Sequence, residues 1–244
     1  RFLKLKKDSN FTLSIVIPLY NEEKSIRNIL NLIPHNDGIE IIVVDDGSTD
    51  KSFQEAIESD KSIKLIKLDE NQGYGNAILT GVKNASGDII ITMDSDGQHN
   101  PNEICRLIEP ILNDKADICI GSRYLGQCNY NIPLHTRVGE CIIEKTLRLF
   151  FRQKVCNNQS GYRALKREAV SIFDDIKFNG FTSATEVLIK SKLKGYRVKE
   201  VPIVLEPRKY GMSKIKLVKL VITLISCFGY YFFIKLKNLI LKNR

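Results

Sequence analysis

The six cysteines of this 244-residue chain include no C-x-x-C pair and do not cluster with its three histidines. That spacing excludes a zinc site and a compact disulfide framework, and leaves reduced, mostly buried thiols of a cytosolic compartment as the expectation. With only 15 Gly and 7 Pro the chain is neither fibrous nor of low complexity, and 43% hydrophobic with 27% charged residues excludes a disordered polyelectrolyte and a polytopic membrane protein. There is no internal repeat and no Gly/Ser linker, so a chain of this length is expected to build one α/β core. His35, His99 and His135 have no Ser or Cys partner at recognisable spacing, which removes a hydrolytic triad. The basic N-terminus, Arg1-Phe-Leu-Lys-Leu-Lys-Lys, runs into polar Asp8-Ser-Asn without a long apolar stretch, so no signal peptide is expected.

The first half alternates short apolar runs with longer segments of helical spacing. Leu13–Leu19, Ile39–Val44, Ile63–Leu68, Asp88–Met93 and Asp117–Gly121 are four to seven residues long, rich in Ile and Val and bounded by polar or Gly positions, which predicts strands. Ile41-Ile-Val-Val and Ile89-Ile-Ile-Thr-Met are apolar on both faces, as buried strands of a parallel sheet must be. Glu22–Leu32, Asp50–Ser59, Tyr74–Ala85 and Asn100–Leu112 read as helices, the last opening with Asn100 at the N-cap, Pro101 at the first helical position and Glu103 at the third. Further helices are expected at Arg137–Phe151 and Ser183–Leu193, a polar turn at Asn157-Asn-Gln-Ser-Gly, and a strand at Arg197–Leu205. This alternation predicts a doubly wound, mostly parallel sheet with helices on both faces, in which ligands sit beyond the C-terminal strand ends.

The polar residues collect at those ends. The first strand closes in Pro18-Leu-Tyr-Asn-Glu-Glu, where Pro is expected to stop ladder pairing and the following helix can turn its amides toward an anion. The second closes in Asp45-Asp-Gly-Ser-Thr-Asp: Asp50 reads as a helix cap, and the neighbouring acids as acceptors for a nucleobase or ribose. The fourth closes in Asp94-Ser-Asp-Gly-Gln-His. Two acids at i and i+2 after a buried strand need a neutralising cation or basic group. Magnesium or manganese, held by one or two carboxylates, waters and diphosphate oxygens, meets that need, with Gln98 as a further oxygen ligand; an acidic surface turn is the alternative. Asn71-Gln-Gly-Tyr-Gly-Asn-Ala lacks the Gly-Lys-Ser/Thr of a P-loop and the complete dinucleotide fingerprint, so its first role is structural, with close backbone approach to a ligand as the alternative.

Taken in order, Ser14-Ile-Val-Ile-Pro-Leu-Tyr-Asn-Glu-Glu, Val43-Val-Asp-Asp-Gly-Ser-Thr-Asp, Gly73-Tyr-Gly-Asn-Ala, Met93-Asp-Ser-Asp-Gly-Gln-His, Gly121-Ser-Arg, Gln159-Ser-Gly-Tyr-Arg, Glu200-Val-Pro and Arg208-Lys-Tyr-Gly-Met-Ser-Lys resemble the family 2 inverting glycosyltransferases, and more narrowly the polyprenyl- or dolichyl-phosphate mannose and glucose synthases. The resemblance runs over about residues 12–215 and implies a GT-A fold, a nucleotide-diphosphate sugar donor such as GDP-mannose or UDP-glucose, a polyprenyl phosphate acceptor, and Mg2+ or Mn2+. It assigns Pro18, Tyr20, Glu22, Val44 and Asp46 to the nucleoside pocket, Ser95 to the donor pocket, and Asp94, Asp96 and Gln98 to metal and diphosphate. Arg123, Arg137 and Arg208 match basic positions around the donor diphosphate and acceptor phosphate, with Asp94, Asp96, Arg123 and Arg208 as the catalytic set; Ser213 and Lys214 complete the closing segment on the acceptor side. An ordinary surface arginine is the alternative for all three, most of all for Arg137 at a helix start. Two positions depart from the pattern: Asn157 stands where an acid is usual, and Tyr74 where Lys is. A sugar hydroxyl acceptor in polysaccharide or glycolipid synthesis is the alternative reaction, and a non-catalytic nucleotide-sugar binder the alternative of another class.

The net charge of +9 has one address. Residues 208–244 contain nine basic residues and no acid, while residues 1–207 hold 28 of each sign. The first 200 residues show no basic stripe with stacking aromatics, which argues against nucleic acid. The uncharged run Leu220–Ile234 would extend about 22 Å as a helix against a hydrocarbon core of about 30 Å. The expectation is a catalytic domain over 1–213 and a tail over 214–244 that lies on or dips into the cytoplasmic face of an anionic membrane; a buried core helix or dimer contact is the alternative.

Overall fold

The structure, a computed structural model, describes residues 11–34, 38–59, 62–211 and 217–242. Ser213, Lys214 and His35, with the expected division between 213 and 214, lie outside the described residues. Seven strands form one sheet in the order β3-β2-β1-β4-β6-β5-β7. They are β1 (Leu13–Leu19), β2 (Ile39–Asp45), β3 (Lys64–Lys67), β4 (Ile89–Thr92), β5 (Ile118–Cys128), β6 (Arg163–Lys166) and β7 (Val198–Leu205). All pair in parallel except β6, which runs antiparallel between β4 and β5. Among the described residues seven α-helices accompany them: α1 (Ile26–Leu32), α2 (Ser52–Ile57), α3 (Tyr74–Asn84), α4 (Ile104–Leu112), α5 (Leu134–Phe151), α6 (Thr182–Leu193) and α7 (Leu217–Lys242).

Side chains alternate across the sheet with the period of two that a strand imposes. Ile15, Ile17, Ile41 and Val43 pack with Ile29 and Leu30 of α1 and Leu107, Ile108 and Ile111 of α4 on one face. Val16, Ile42 and Val44 pack with Ala77, Ile78 and Val82 of α3 on the other. The start signal of the fourth helix is borne out: the Asn100 side chain accepts the Asn102 amide, and a short 3-10 turn, Pro101–Glu103, leads into α4. Lys51, not Asp50, takes the N-cap position of α2; Asp50, just before it, accepts from the Ser52 amide at 2.9 Å and from the Glu23 amide at 3.3 Å.

Three further expectations need correction. Pro18 does not end its ladder with β2, where pairing continues through Pro18↔Val44 to Leu19↔Asp45; it is β4 that parts from β1 after Val16↔Thr92. A proline on this strand is tolerated because the partner that would need its N–H has already left. The strand β6 was not anticipated, being four residues that begin with Arg and end with Lys. The tail is longer than its uncharged run: α7 has 26 residues, about 39 Å, and Leu217–Lys237 is long and apolar enough to cross a membrane by length and composition.

One face of α7 is docked. Leu224, Cys227 and Tyr231 are buried against Ile143, Leu147 and Phe151 of α5 and Leu188 and Ile189 of α6. The buried Glu186 carboxylate accepts from Tyr231 Oη at 2.6 Å and from the amides of Lys177 and Phe178, and the Thr182 and Thr223 hydroxyls pair at 2.6 Å. The opposite face leaves Val218, Val221, Ile222, Ile225 and Phe233 exposed.

Candidate active site

The sheet order sets β2, β1 and β4 side by side and in parallel, so their C-terminal ends, carrying Asp45-Asp46, Tyr20-Glu22 and Asp94-Asp96, form one rim. On that rim Asp94 is contacted from several sides. Its Oδ1 accepts from the Tyr74 hydroxyl at 2.9 Å, and its backbone N–H donates to His99 Nδ1 at 3.3 Å. His99 is itself buried and stacked on Tyr162 with ring centroids 4.8 Å apart. Gly161 closes a further side: a Cβ there would stand 2.4 and 2.6 Å from the two Asp94 carboxylate oxygens and 2.5 Å from Tyr74 Oη. Burial, with the nearby Asp96 adding to it, holds the Asp94 carboxyl above the usual range. Burial likewise keeps the Tyr74 hydroxyl protonated well past its ordinary range, as a donor to a carboxylate must be.

Asp96 has different partners. Its Oδ1 accepts the Gln98 amide at 3.0 Å, and its Oδ2 lies 3.7 Å from Arg208. Arg208 comes from beyond β7 because Glu206 is strapped to the β4 loop: Glu206 N–H donates to the Gln98 carbonyl at 3.1 Å, and Gln98 Nε2 returns a bond to the Glu206 carbonyl at 3.0 Å. Its guanidinium also pairs with the buried Glu22. Two acids and one arginine from three distant stretches thus meet beside Asp94.

The remaining residues named from the sequence fall into distinct places. Pro18 and Val44 are buried, and the Val44 side chain belongs to the α3 side of the core, so it reaches the rim only through its backbone. Tyr20 stands half-buried at the end of β1. Ser95 is buried, its carbonyl accepting from Ser25 Oγ at 2.7 Å. Asp46 spends both oxygens on the loop before α3, accepting the amides of Gln72 at 2.8 Å and Gly73 at 2.9 Å, while burial raises its carboxyl. Gly73 sits at φ 96°, a backbone angle that favours glycine, and launches α3 with Tyr74 as its first residue. Arg123 is bound bidentately by the buried Glu140 at 2.7 and 2.8 Å, with Tyr124 Oη donating to the same carboxylate. Arg137 is exposed on α5.

Sequence reading missed the residues that hold others in place. Arg163, buried, donates to the carbonyls of Ser160, Asn158 and Ala184 and so shapes the turn containing Gly161; burial pulls its guanidinium down to about 10. Asn157 donates through Nδ2 to the Gly121 carbonyl at 2.9 Å, a bond that an ionised acid could not make, while its backbone N–H goes to Glu200. Glu140 lies in no motif, and His99, although it closes the Met93–His99 motif, was given no role there.

The acids suit a hard divalent cation that is completed by substrate. No group of three or more His, Cys, Asp or Glu side chains positioned to hold a metal occurs among the described residues. Two carboxylates at one rim, the inner one raised by burial and by its neighbour, are an incomplete oxygen site of the kind that Mg2+ or Mn2+ occupies with phosphate oxygens and water.

Residues 14–173 match the family described as Glycosyl transferase family 2. The UDP-N-acetylglucosamine--dolichyl-phosphate N-acetylglucosaminyltransferase of Methanococcus voltae is 32% identical over 82% of this chain and 88% of its own length. The dolichol-phosphate mannosyltransferase of Pyrococcus furiosus is 36% identical over 83% of this chain and 59% of its own. Among solved structures, glucosyl-3-phosphoglycerate synthase from Mycobacterium tuberculosis, in complex with Mn2+, UDP-glucose and phosphoglyceric acid, superposes with a TM-score of 0.70 at 24% identity, covering 93% of this chain and 82% of that one. That likeness carries the GT-A fold.

Proposed function

The chain belongs to glycosyl transferase family 2 and is a glycosyltransferase, and on that premise we propose that it moves a hexosyl group from a nucleotide-diphosphate sugar to a polyprenyl phosphate with inversion at C1. The observation that carries the reading is the Glu22–Arg208–Asp96 contact beside Asp94, which gathers at one strand-end rim the charges that a departing diphosphate requires. Relatives named for dolichyl-phosphate and dolichol-phosphate transfer support the lipid phosphate acceptor. Their donor sugars differ, so mannose, glucose and N-acetylglucosamine remain to be compared.

Asp94 and Asp96 would hold Mg2+ or Mn2+, with Gln98 positioned by its bonds to Glu206 and Asp96. When bound, the cation neutralises the leaving diphosphate. Arg208, released from Glu22 when the donor arrives, supplies a second positive contact to the same oxygens. Tyr20, Glu22, Asp46 and Ser95, with the backbone at Pro18 and Val44, line the nucleoside side. A phosphate monoester acceptor is already ionised near neutral pH, so no strong general base is needed, in accord with the absence of one by motif. Arg137, Ser213 and Lys214 are assigned to the acceptor phosphate; Arg123, clamped by Glu140, orients that wall. Screening nucleotide sugars against polyprenyl phosphate with Mn2+ should yield a lipid-phosphate sugar from one donor and none in chelator. Full activity in chelator would remove the metal, and transfer only to sugar hydroxyls would favour the polysaccharide or glycolipid reaction.

The helix α7 is assigned to the cytoplasmic face of a membrane, lying along it. The residues docked on the catalytic unit, Leu224, Cys227 and Tyr231, occupy the middle of the helix, which therefore stays level with that unit while Val221, Ile222, Ile225 and Phe233 face outward. Basic residues of the tail add about 1 kcal/mol for each that reaches an anionic leaflet. Changing Val221, Ile222, Ile225 and Phe233 together to Ser, with the docked face intact, should shift most of the protein from the floating to the soluble fraction on anionic vesicles. Unchanged flotation would dismiss the interfacial reading.

A further inference from the structure

Asp94 and Asp96 differ in how they are held, and the difference traces to Tyr74. The hydroxyl of Tyr74 donates to Asp94 Oδ1 at 2.9 Å. Its ring is stacked on Phe181 at the start of α6, with centroids 5.2 Å apart and planes 11° from parallel. The backbone that delivers it is held in turn, since Asp46 binds the amides of Gln72 and Gly73 immediately before it. Gly161 bounds the slot on another side with its own carbonyl bound by Thr92 Oγ1 at 2.6 Å. Ring, loop and wall thus restrain the phenol independently of any ligand. Among the described residues the basic nitrogen paired with Asp94 Oδ2 is His99 Nδ1, at 3.7 Å, beyond hydrogen-bonding range. One carboxylate oxygen is fixed by a neutral donor and the other is left to ligate, whereas Asp96 is restrained only by its own loop amide and by Arg208.

We propose that Tyr74 is the positioning residue of the metal site: it sets the Asp94 carboxylate in a ligating orientation before any cation arrives, and thereby tilts the site toward the cation with the stricter geometry, Mg2+. This rests on the assignment of a divalent cation to Asp94 and Asp96. Mg2+ demands near-ideal octahedral coordination, so a carboxylate free to rotate handicaps it more than a tolerant cation such as Mn2+. A donor held in an outer layer around a metal ligand typically changes metal affinity by about 10- to 100-fold. A neutral phenol also orients the acid without putting a second positive charge beside the cation, as a lysine at the same place would.

The test is Mn2+ binding by electron paramagnetic resonance, with Mg2+ as competitor, on wild type, Tyr74→Phe and Tyr74→Lys, each with UDP and with GDP and without turnover. Tyr74→Phe keeps the Phe181 stack and is expected to keep the thermal midpoint. Its Mn2+ Kd should rise about tenfold, and Mg2+ should compete less well than it does in wild type. Tyr74→Lys should bind Mn2+ more weakly still. If wild type binds Mn2+ and Tyr74→Phe matches it in both Mn2+ affinity and Mg2+ competition, the proposal fails while the metal assignment stands. If wild type binds no Mn2+ with either nucleotide, the metal assignment fails and takes this proposal with it. A fall in thermal midpoint with unchanged metal binding assigns Tyr74 a purely structural role and also overturns it.

Discussion

Replacing Asp96 with Asn is expected to lower metal-supported sugar transfer by about 10³-fold, on the order of 4 kcal/mol of transition-state stabilisation. Asn keeps the size and can still accept the Gln98 amide that Asp96 Oδ1 now takes, so the loop should keep its shape. What it removes is a formal negative charge beside Arg208. The Glu22–Arg208 pair and the Gln98–Glu206 strap do not depend on that charge, so the protein should fold and purify as wild type. Initial rates at saturating donor and Mn2+, with circular dichroism as the control for folding, measure the effect. A variant that keeps more than a tenth of wild-type turnover would show that Asp96 is not needed to support the departing diphosphate. Asp94→Asn is a less clean experiment, because an amide there would also disturb Tyr74.

Gly161→Ala should be nearly as damaging, by geometry rather than by charge. The added methyl would stand 2.4 to 2.6 Å from three polar atoms, both Asp94 carboxylate oxygens and the Tyr74 hydroxyl. None can withdraw cheaply: Tyr74 is stacked on Phe181, and the Asp94 backbone is bound to His99. Something must move by most of an ångström, and a displacement of that size at a reacting centre costs about 100-fold in rate. Overpacking should also lower stability by about 1–3 kcal/mol. Steady-state kinetics and thermal denaturation on one preparation separate the two effects. Because Tyr74→Phe removes one of the three atoms in conflict, the double variant Gly161→Ala/Tyr74→Phe should recover part of the lost stability, a coupling that independent sites would not show. Wild-type kinetics in Gly161→Ala would mean that Asp94 has room the packing denies.

The strands that carry the rim were legible because a buried parallel strand must be apolar on both faces, as Ile41-Ile-Val-Val and Ile89-Ile-Ile-Thr-Met are. The acids were legible for the complementary reason: consecutive carboxylates after such a run, as at Asp45-Asp46 and Asp94-Ser-Asp96, stand out against the apolar strand that precedes them. β6 was hidden because four residues carrying Arg163 and Lys166 show neither a continuous apolar run nor clean alternation. Nothing local orders it; it is a strand because β4 and β5 each offer it an edge. Arg123 and Asp46 show another limit. Their residue types suited a ligand, yet Glu140 binds the one and the Gln72 and Gly73 amides occupy the other.

By itself the sequence determined the alternation of strands and helices, the polar strand ends with their paired acids, and the concentration of positive charge in an acid-free tail. Each of those is written in neighbouring residues, where periodicity and composition act. Only the tertiary structure decided which groups surround each acid, since Tyr74, Gly161 and Arg208 reach Asp94 and Asp96 from 20, 67 and 112 residues away. It also decided that the tail helix is docked on one face and bare on the other, because Glu186 offers Tyr231 a buried acceptor and α5 and α6 provide an apolar surface for Leu224 and Cys227. Such pairings join side chains far apart in the chain, and only the fold says which of them meet.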